Sequence, residues 1–395
     1  MKNTTAMADY ELRHIEALRK DLAGCTVLLK KDGSFPLEKP CTLAAYGSGV
    51  RRTIRGGTGS GEVNSRYIVT IEEGLQQAGF TLTGMEWHTG YEQAREKAHK
   101  AFLKQLKKDA KAARQNFILY GMGKVMPEPE YDLPLNAEGD AAIYVVSRIS
   151  GEGNDRTPLK GDIRLTDSEV RDILALDKKF TRFMLVLNVG GVVDLSPVMS
   201  VRNILLLSQL GVETGGALAD ILLGKANPSG KLTTTWAAFE EYPEMPDFED
   251  MNETRYREGI YVGYRYFDTF RKKALFPFGY GLSYTEFRLG TAGVEANGAQ
   301  VTVRTTVENT GTMAGRQVVQ VYLPVSSMRP GRSFAPLPRP AHLPREKQKL
   351  SPAPLPCRRW QLMMPKLPPI FSRPVITLSV SVSAAPKPSP PPSCI

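Results

Sequence analysis

Ala141-Ala142-Ile143-Tyr144-Val145-Val146, followed after three intervening residues by Ser150-Gly151-Glu152-Gly153-Asn154-Asp155-Arg156, sets one carboxylate in a glycine-flanked loop just past an apolar run. The run reads as a strand. Glycines on both sides of Glu152 release the backbone from Cβ constraints, so the chain can turn sharply and present the acid to a cleft. Glu152 is therefore a candidate acid or base. A surface turn in which Asp155 and Arg156 form an ordinary ion pair is the plain alternative, because Gly, Asn and Asp are turn formers first.

Outward from this loop the pattern alternates. Towards the N-terminus, apolar spacing predicts a helix over 8–24, strands over Thr26–Leu29 and Cys41–Tyr46, a helix over Tyr67–Gln77, a strand over Phe80–Met85 and a long solvated helix over Tyr91–Arg114. Towards the C-terminus it predicts a helix over Asp167–Phe180 opened by Thr166, strands over Phe183–Asn188 and Asn203–Leu207, and a helix over Thr214–Leu223 ended by Gly224. Strands alternating with helices at this spacing imply an α/β fold, a mostly parallel sheet sandwiched by helices. This domain is expected to span 1–236.

An aromatic-rich connecting segment, 237–287, comes next. Polar and apolar residues then alternate over Val301–Val307 and Gln317–Tyr322 around the turn Asn309-Thr310-Gly311, which predicts an incomplete antiparallel β-sandwich over 288–327. About forty residues are too few for a complete sandwich of roughly a hundred. Residues 328–395 hold seventeen of the chain's 29 prolines and are expected to form a basic, disordered, proline-rich tail. The break falls inside a strand pattern, so a reading-frame shift near Ser327 is the expectation there, one that an intact frame through the tail would sink.

The formal charge of +10 belongs to that tail, which carries eleven Lys and Arg against Glu346 alone, leaving forty residues of each sign in 1–327. A neutral body without a basic stripe speaks against nucleic acid and suits a neutral substrate. Cys25, Cys41, Cys357 and Cys394 lack metal-ligand or framework spacing, so neither metal nor cofactor is expected. A polar N-terminus and the lack of any apolar run near twenty residues imply a cytoplasmic protein that does not enter a membrane.

A second loop, Arg55-Gly56-Gly57-Thr58-Gly59-Ser60-Gly61, lies between a strand and a helix, where a phosphate cradle would sit. It lacks the Lys-Ser or Lys-Thr of a P-loop and the GxGxxG spacing of a dinucleotide site. A rim that lets a sugar or another domain approach the backbone fits better, with Arg55, Gly57, Gly59, Ser60, Gly61 and Asn64, together with Asp155 and Arg156, as its residues. Trp87 and His88 could stack on a sugar, but core packing is the preferred reading. The aromatic-glycine stretch Phe276–Tyr284 is read as pinning a loop.

Taken in order, Val27–Gly33, Gly56–Asn64, Ser150–Arg156, Leu187-Asn188-Val189-Gly190-Gly191, Gly224–Leu232, Tyr261–Tyr266 and Phe278–Tyr284 resemble glycoside hydrolase family 3, whose members are mostly β-glucosidases, β-xylosidases and β-N-acetylglucosaminidases. The resemblance covers roughly 20–327 and implies the family's α/β sandwich domain and the start of its fibronectin type III-like domain. It further implies retaining hydrolysis by two carboxylates, with the acid/base carried over onto Glu152. The family's nucleophile is an aspartate of a separate (β/α)8 barrel in a Ser-Asp-Trp type motif; neither that motif nor room for about 250 residues of barrel is found in this chain. With the α/β domain first, the chain is similar to members of inverted domain order, in which the barrel follows, and a possible partner is that missing barrel. Two readings result: the acid/base part of a β-glucosidase-like enzyme on a neutral β-linked sugar, incomplete alone, or a non-catalytic carbohydrate-contacting or interaction module. A nucleotide-binding protein is a weaker third.

Overall fold

The computed structural model describes residues 7–121, 124–150, 152, 156–244, 253, 255–297 and 300–321, and the backbone of 376–383. The chain divides into two compact units, Met1–Arg257 with Lys273–Ser283, and Glu258–Lys272 with Tyr284–Ile395.

In the first unit, β1 (Val27–Lys30), β2 (Thr42–Tyr46), β3 (Thr81–Thr83), β4 (Ala141–Arg148), β5 (Phe183–Val189) and β6 (Ile204–Leu206) form one sheet in the order β1-β6-β5-β4-β2-β3. Strands β2 to β6 run parallel, and β1 alone is antiparallel, against β6. Every residue of β4 and β5 is buried, as it must be in a parallel sheet covered on both faces. The α/β class expected from the sequence is the one observed.

The helices are α1 (Asp9–Cys25), α2 (Ile71–Gln77), α3 (Met85–Ala112), the short α4 (Phe117–Gly121), α5 (Asp167–Lys179) and α6 (Thr214–Leu222). Local chemistry sets their starts. Thr70 and Glu73 form a capping box, so α2 begins at Ile71 and not at Tyr67; Thr166 and Glu169 do the same for α5. Helix α3 begins six residues before the expected Tyr91, because its first turns carry an aromatic face into the core. There Trp87 stacks on Tyr91 with ring centroids 5.3 Å apart, and Trp87 and His88 are both buried. They are core residues, and burial holds the His88 imidazole below its ordinary pKa while its Nε2 donates to Ala45 O.

Strand order fixes where a ligand can approach. From β2 the chain steps outward to β3, then returns across β2 to β4 and continues through β5 to β6. The direction reverses between β2 and β4. In open parallel sheets the loops after the strands on either side of such a reversal splay apart and leave a crevice at the carboxyl edge.

In the second unit, α7 (Tyr264–Thr269) precedes β7 (Phe287–Leu289), β8 (Gly293–Asn297) and β9 (Gln300–Asn309). One correction concerns Gln317–Tyr322, expected as a strand: 317–321 have no strand structure, and Tyr322 lies outside the described residues. β9 is paired antiparallel with β7 and β8 and parallel with β10 (Ile376–Ser383), so its neighbours are already supplied. A second correction concerns the tail. Within the stretch expected to be structureless, Ile376-Thr377-Leu378-Ser379-Val380-Ser381-Val382-Ser383 alternates strictly and contains no proline, and it is the β10 strand; the rest of the tail lies outside the described residues. Among the described residues no helix is long and apolar enough to cross a membrane.

An ion cluster is sealed beneath β4. The Arg148 side chain, 5% exposed, donates from Nη2 to Glu169 Oε2 at 2.6 Å, and its Nη1 lies 4.0 Å from Glu128 Oε2. Tyr91 donates its hydroxyl to Glu128. Burial pushes the Glu128 carboxyl up from 4.5 to about 7 against the opposing pull of Arg148, with Glu169 adding to the rise. Between these two values the folded chain keeps a proton that the unfolded chain has released, so stability must fall as pH rises through that window, at up to about 1.4 kcal/mol per pH unit. Glu128→Gln is expected to flatten this slope, measured as the urea midpoint at pH 5 against pH 7.5.

Candidate functional site

The parallel strands all end on one edge of the sheet, which gathers there the loops that follow β2, β4, β5 and β6. After β2 the chain runs close beside β4. A Cβ at Gly47, which has φ +89°, would lie 2.4 Å from Val145 O, so only glycine permits this approach. Past the 3-10 turn Ser48–Val50, Ser147 of β4 donates to Arg52 O at 3.2 Å.

Asn188, fully buried in β5, then holds the entrance to the glycine loop by both backbone groups of Ile54. Its Oδ1 accepts from Ile54 N at 2.6 Å and its Nδ2 donates to Ile54 O at 2.8 Å and to Ser208 O at 2.6 Å. A carboxamide fits because one face must accept while the other donates. Two further ties come from the segment after β6: Gln209 Nε2 donates to Gly56 O at 3.3 Å and Gly211 N to Arg55 O at 2.9 Å. Arg55 closes the loop on itself, its Nη2 donating to Val63 O at 2.9 Å.

On this platform the two loops singled out in the sequence meet. Glu152 N donates to Thr58 O at 3.4 Å, and a Cβ at Gly59, φ +70°, would lie 2.5 Å from Glu152 Oε2 and 2.6 Å from its Cβ. The Glu152 side chain therefore lies against bare backbone, and the residue remains exposed. Gly57 is half-buried in the loop, Gly61 ends the 3-10 turn Gly59–Gly61, and Asn64 is exposed beyond it. Ser60 belongs to the same turn, with its side chain outside the described residues, as is Asp155. Arg156 is mostly buried and turns inward, with Nε donating to Asp162 Oδ1 at 2.7 Å and Nη1 to Val192 O at 2.8 Å. Among the described residues its ion-pair partner is Asp162; the expected pair with Asp155 lies outside them.

The aromatic-glycine stretch as far as Ser283 belongs to the first unit, and its backbone is pinned by Trp236 N to Phe276 O, Gly279 N to Leu232 O and Leu282 N to Leu28 O. Four residues that shape the site had not been singled out individually. Arg148 and Asn188 had a signal, a charge and an amide inside apolar strand runs. Asp162 and Gln209, both in irregular segments, had none.

An exposed carboxylate thus lies at the carboxyl edge of a parallel sheet, beside a bare-backbone loop at the strand reversal, the place where open α/β sheets receive ligands. The match to the model described as "Glycosyl hydrolase family 3 C-terminal domain" covers residues 26–284. The chain belongs to glycosyl hydrolase family 3. It is 34% identical over 357 residues to β-glucosidase A of Butyrivibrio fibrisolvens, covering 78% of this chain and 41% of that protein, and 33% identical over 320 residues to a β-glucosidase of Ruminococcus albus, covering 78% and 32%. Among solved structures, β-glucosidase 3B from Thermotoga neapolitana in complex with α-D-glucose superposes with a TM-score of 0.62 at 33% identity, over 77% of this chain and 43% of that one. The chain thus spans less than half the length of these relatives.

Two substitutions test the platform. Asn188→Ala strips three buried hydrogen bonds and is expected to destabilise the first unit by about 2–3 kcal/mol, read from chemical unfolding. Gly59→Ala adds a methyl where Glu152 lies and a strained φ; a destabilisation of about 1–2 kcal/mol together with altered chemical shifts around Glu152 is expected, and unchanged shifts would refute the contact.

Proposed function

We propose that this chain supplies the acid/base carboxylate, Glu152, of a retaining β-glycosidase acting on O-glycosyl bonds of neutral β-glucoside-type sugars. The observation that carries the reading is the exposed Glu152 carboxylate lying against Gly59 at the strand-reversal crevice. The β-glucosidases among the relatives support the substrate class. In the first step a nucleophilic carboxylate attacks the anomeric carbon, the glycosidic C–O bond breaks, and the Glu152 carboxyl proton passes to the leaving oxygen. In the second, the Glu152 carboxylate takes a proton from water as that water attacks the anomeric carbon and releases the nucleophile.

The nucleophile in this reading is a carboxylate about 5 Å from Glu152, carried by a (β/α)8 barrel outside these residues and docked over the crevice. In this reading Arg55, Gly57, Gly59, Ser60, Gly61 and Asn64 form the sugar-facing or barrel-facing rim, and Arg156, expected there, instead supports the loop from within through Asp162 and Val192 O. An acid without its opposed nucleophile cannot form the glycosyl-enzyme, so the 395-residue chain alone is expected to be inactive.

Aryl β-glucoside hydrolysis by the purified chain measures this directly: no nitrophenol release is expected, and turnover would overturn the placement of the nucleophile. Joined in frame to a barrel domain, the chain is expected to hydrolyse the substrate. There Glu152→Gln is expected to lower kcat by roughly 10²–10⁴-fold, the range for a general acid/base. A near-normal rate would remove Glu152 from the role, and sugar binding without hydrolysis would favour a carbohydrate-contacting module.

A further inference from the structure

Glu152 lies four residues beyond Arg148, the last residue of β4, and four before Arg156. Both stems of its loop converge on one residue, Asp162: the C-terminal stem on its carboxylate and the N-terminal stem, through Arg148, on its main-chain carbonyl. Asp162 Oδ1 accepts from Arg156 Nε at 2.7 Å, its Oδ2 accepts from Thr157 N at 2.5 Å and from Thr157 Oγ1 at 2.9 Å, and its carbonyl accepts from Arg148 Nε at 3.0 Å. Arg148 is itself immobilised by Glu169, whose Oε2 also accepts from Thr166 N at the start of α5. Arg156 continues the chain of contacts to Val192 O, after β5.

We propose that Asp162 is the positioning residue of the acid/base loop: its carboxylate clamps the C-terminal stem, at Arg156 and Thr157, against the Arg148 end of β4 that its carbonyl also meets, so that Glu152 between them is presented in one place. The inference rests on the acid/base reading of Glu152. Charge-assisted bonds at fixed stems restrict where a side chain between them can point. Asp162 has the right form: one oxygen serves the guanidinium while the other serves the backbone and hydroxyl of the next residue. Asparagine preserves the size and one acceptor but gives up the charge, and alanine gives up both side-chain acceptors while keeping the carbonyl that Arg148 meets.

The test has two arms. In the full 395-residue chain, amide exchange of the 150–158 segment and of Ile163, whose N–H donates to Thr157 O, is compared for wild type, Asp162→Asn and Asp162→Ala. Exchange at least tenfold faster there in Asp162→Ala, intermediate in Asp162→Asn, with β4 and β5 unchanged, is the expected result. Unchanged exchange in both variants overturns the clamp; if the alanine variant unfolds, the asparagine variant decides alone.

In the barrel-joined enzyme, the same variants are assayed with a dinitrophenyl glucoside, whose leaving group needs no proton, and with an alkyl glucoside, whose leaving group does. A kcat loss at least tenfold larger for the alkyl glucoside, with KM little changed, is expected, and equal losses for both overturn the positioning role. Glu152→Gln serves as the reference. If it shows no such leaving-group dependence while loop exchange still responds to Asp162, the acid/base reading fails and the clamp stands.

Discussion

A guanidinium sealed inside an apolar core must find a partner for each N–H it directs inward, and Arg148 imposes that demand at the end of the central strand. Its partners come from three places: the Glu169 carboxylate at the start of α5, Glu128 on the segment before β4, and the carbonyls of Ser147 and Asp162. Left unmatched, a buried charge of this kind would be strongly destabilising, so helix, strand and loop stem are constrained together. The capping box that begins α5 therefore does two jobs, since Glu169 closes the helix start and neutralises Arg148. The exit of β4, and with it the base of the Glu152 loop, is a consequence of this matching.

The glycine loop is held by a different logic. Among the described residues it carries no charge pair to the sheet; it hangs from Asn188, Gln209 and Gly211, all bonding to its backbone. Backbone ties leave its surface bare, which is why Glu152 can lie so near Gly59. One loop is thus fixed by buried charge and the other by amide matching, and they meet above the strand reversal, where a parallel sheet leaves room for a ligand.

Much of this was legible in the residues. Strongly apolar runs such as Ala141–Val146 and Phe183–Asn188 are strands because nothing else buries so many consecutive apolar residues in so short a length, and Thr166 with Glu169 marks a helix start by a mechanism that acts locally. Both site loops were visible as glycine motifs. Their meeting was not, because the parallel register that puts β2 beside β4 depends on contacts about a hundred residues apart in sequence. Asp162 was invisible for a related reason: an aspartate in an irregular turn carries no period, and its partners Arg148 and Arg156 are defined only once the loop has closed. Gln317–Tyr322 misled because alternation states a willingness to pair and says nothing of which neighbour is available. β9 takes the equally alternating Ile376–Ser383 instead.

A carboxylate that serves first as acid and then as base has to address two different oxygens, that of the leaving group and that of water, from one position within a turnover. A strand residue would be too fixed in direction and an untethered loop residue too diffuse. The arrangement around Glu152 lies between these limits: four residues on either side reach stems held by Arg148 and Asp162, while the glycines next to it leave the tip free of Cβ constraints. Gly59 bounds the motion on one side, since the Glu152 side chain already rests on its backbone. On the proposed reading, the opposite bound and the nucleophile come from the same source, a wall facing the crevice, so that closing the site and completing the chemistry would be a single event.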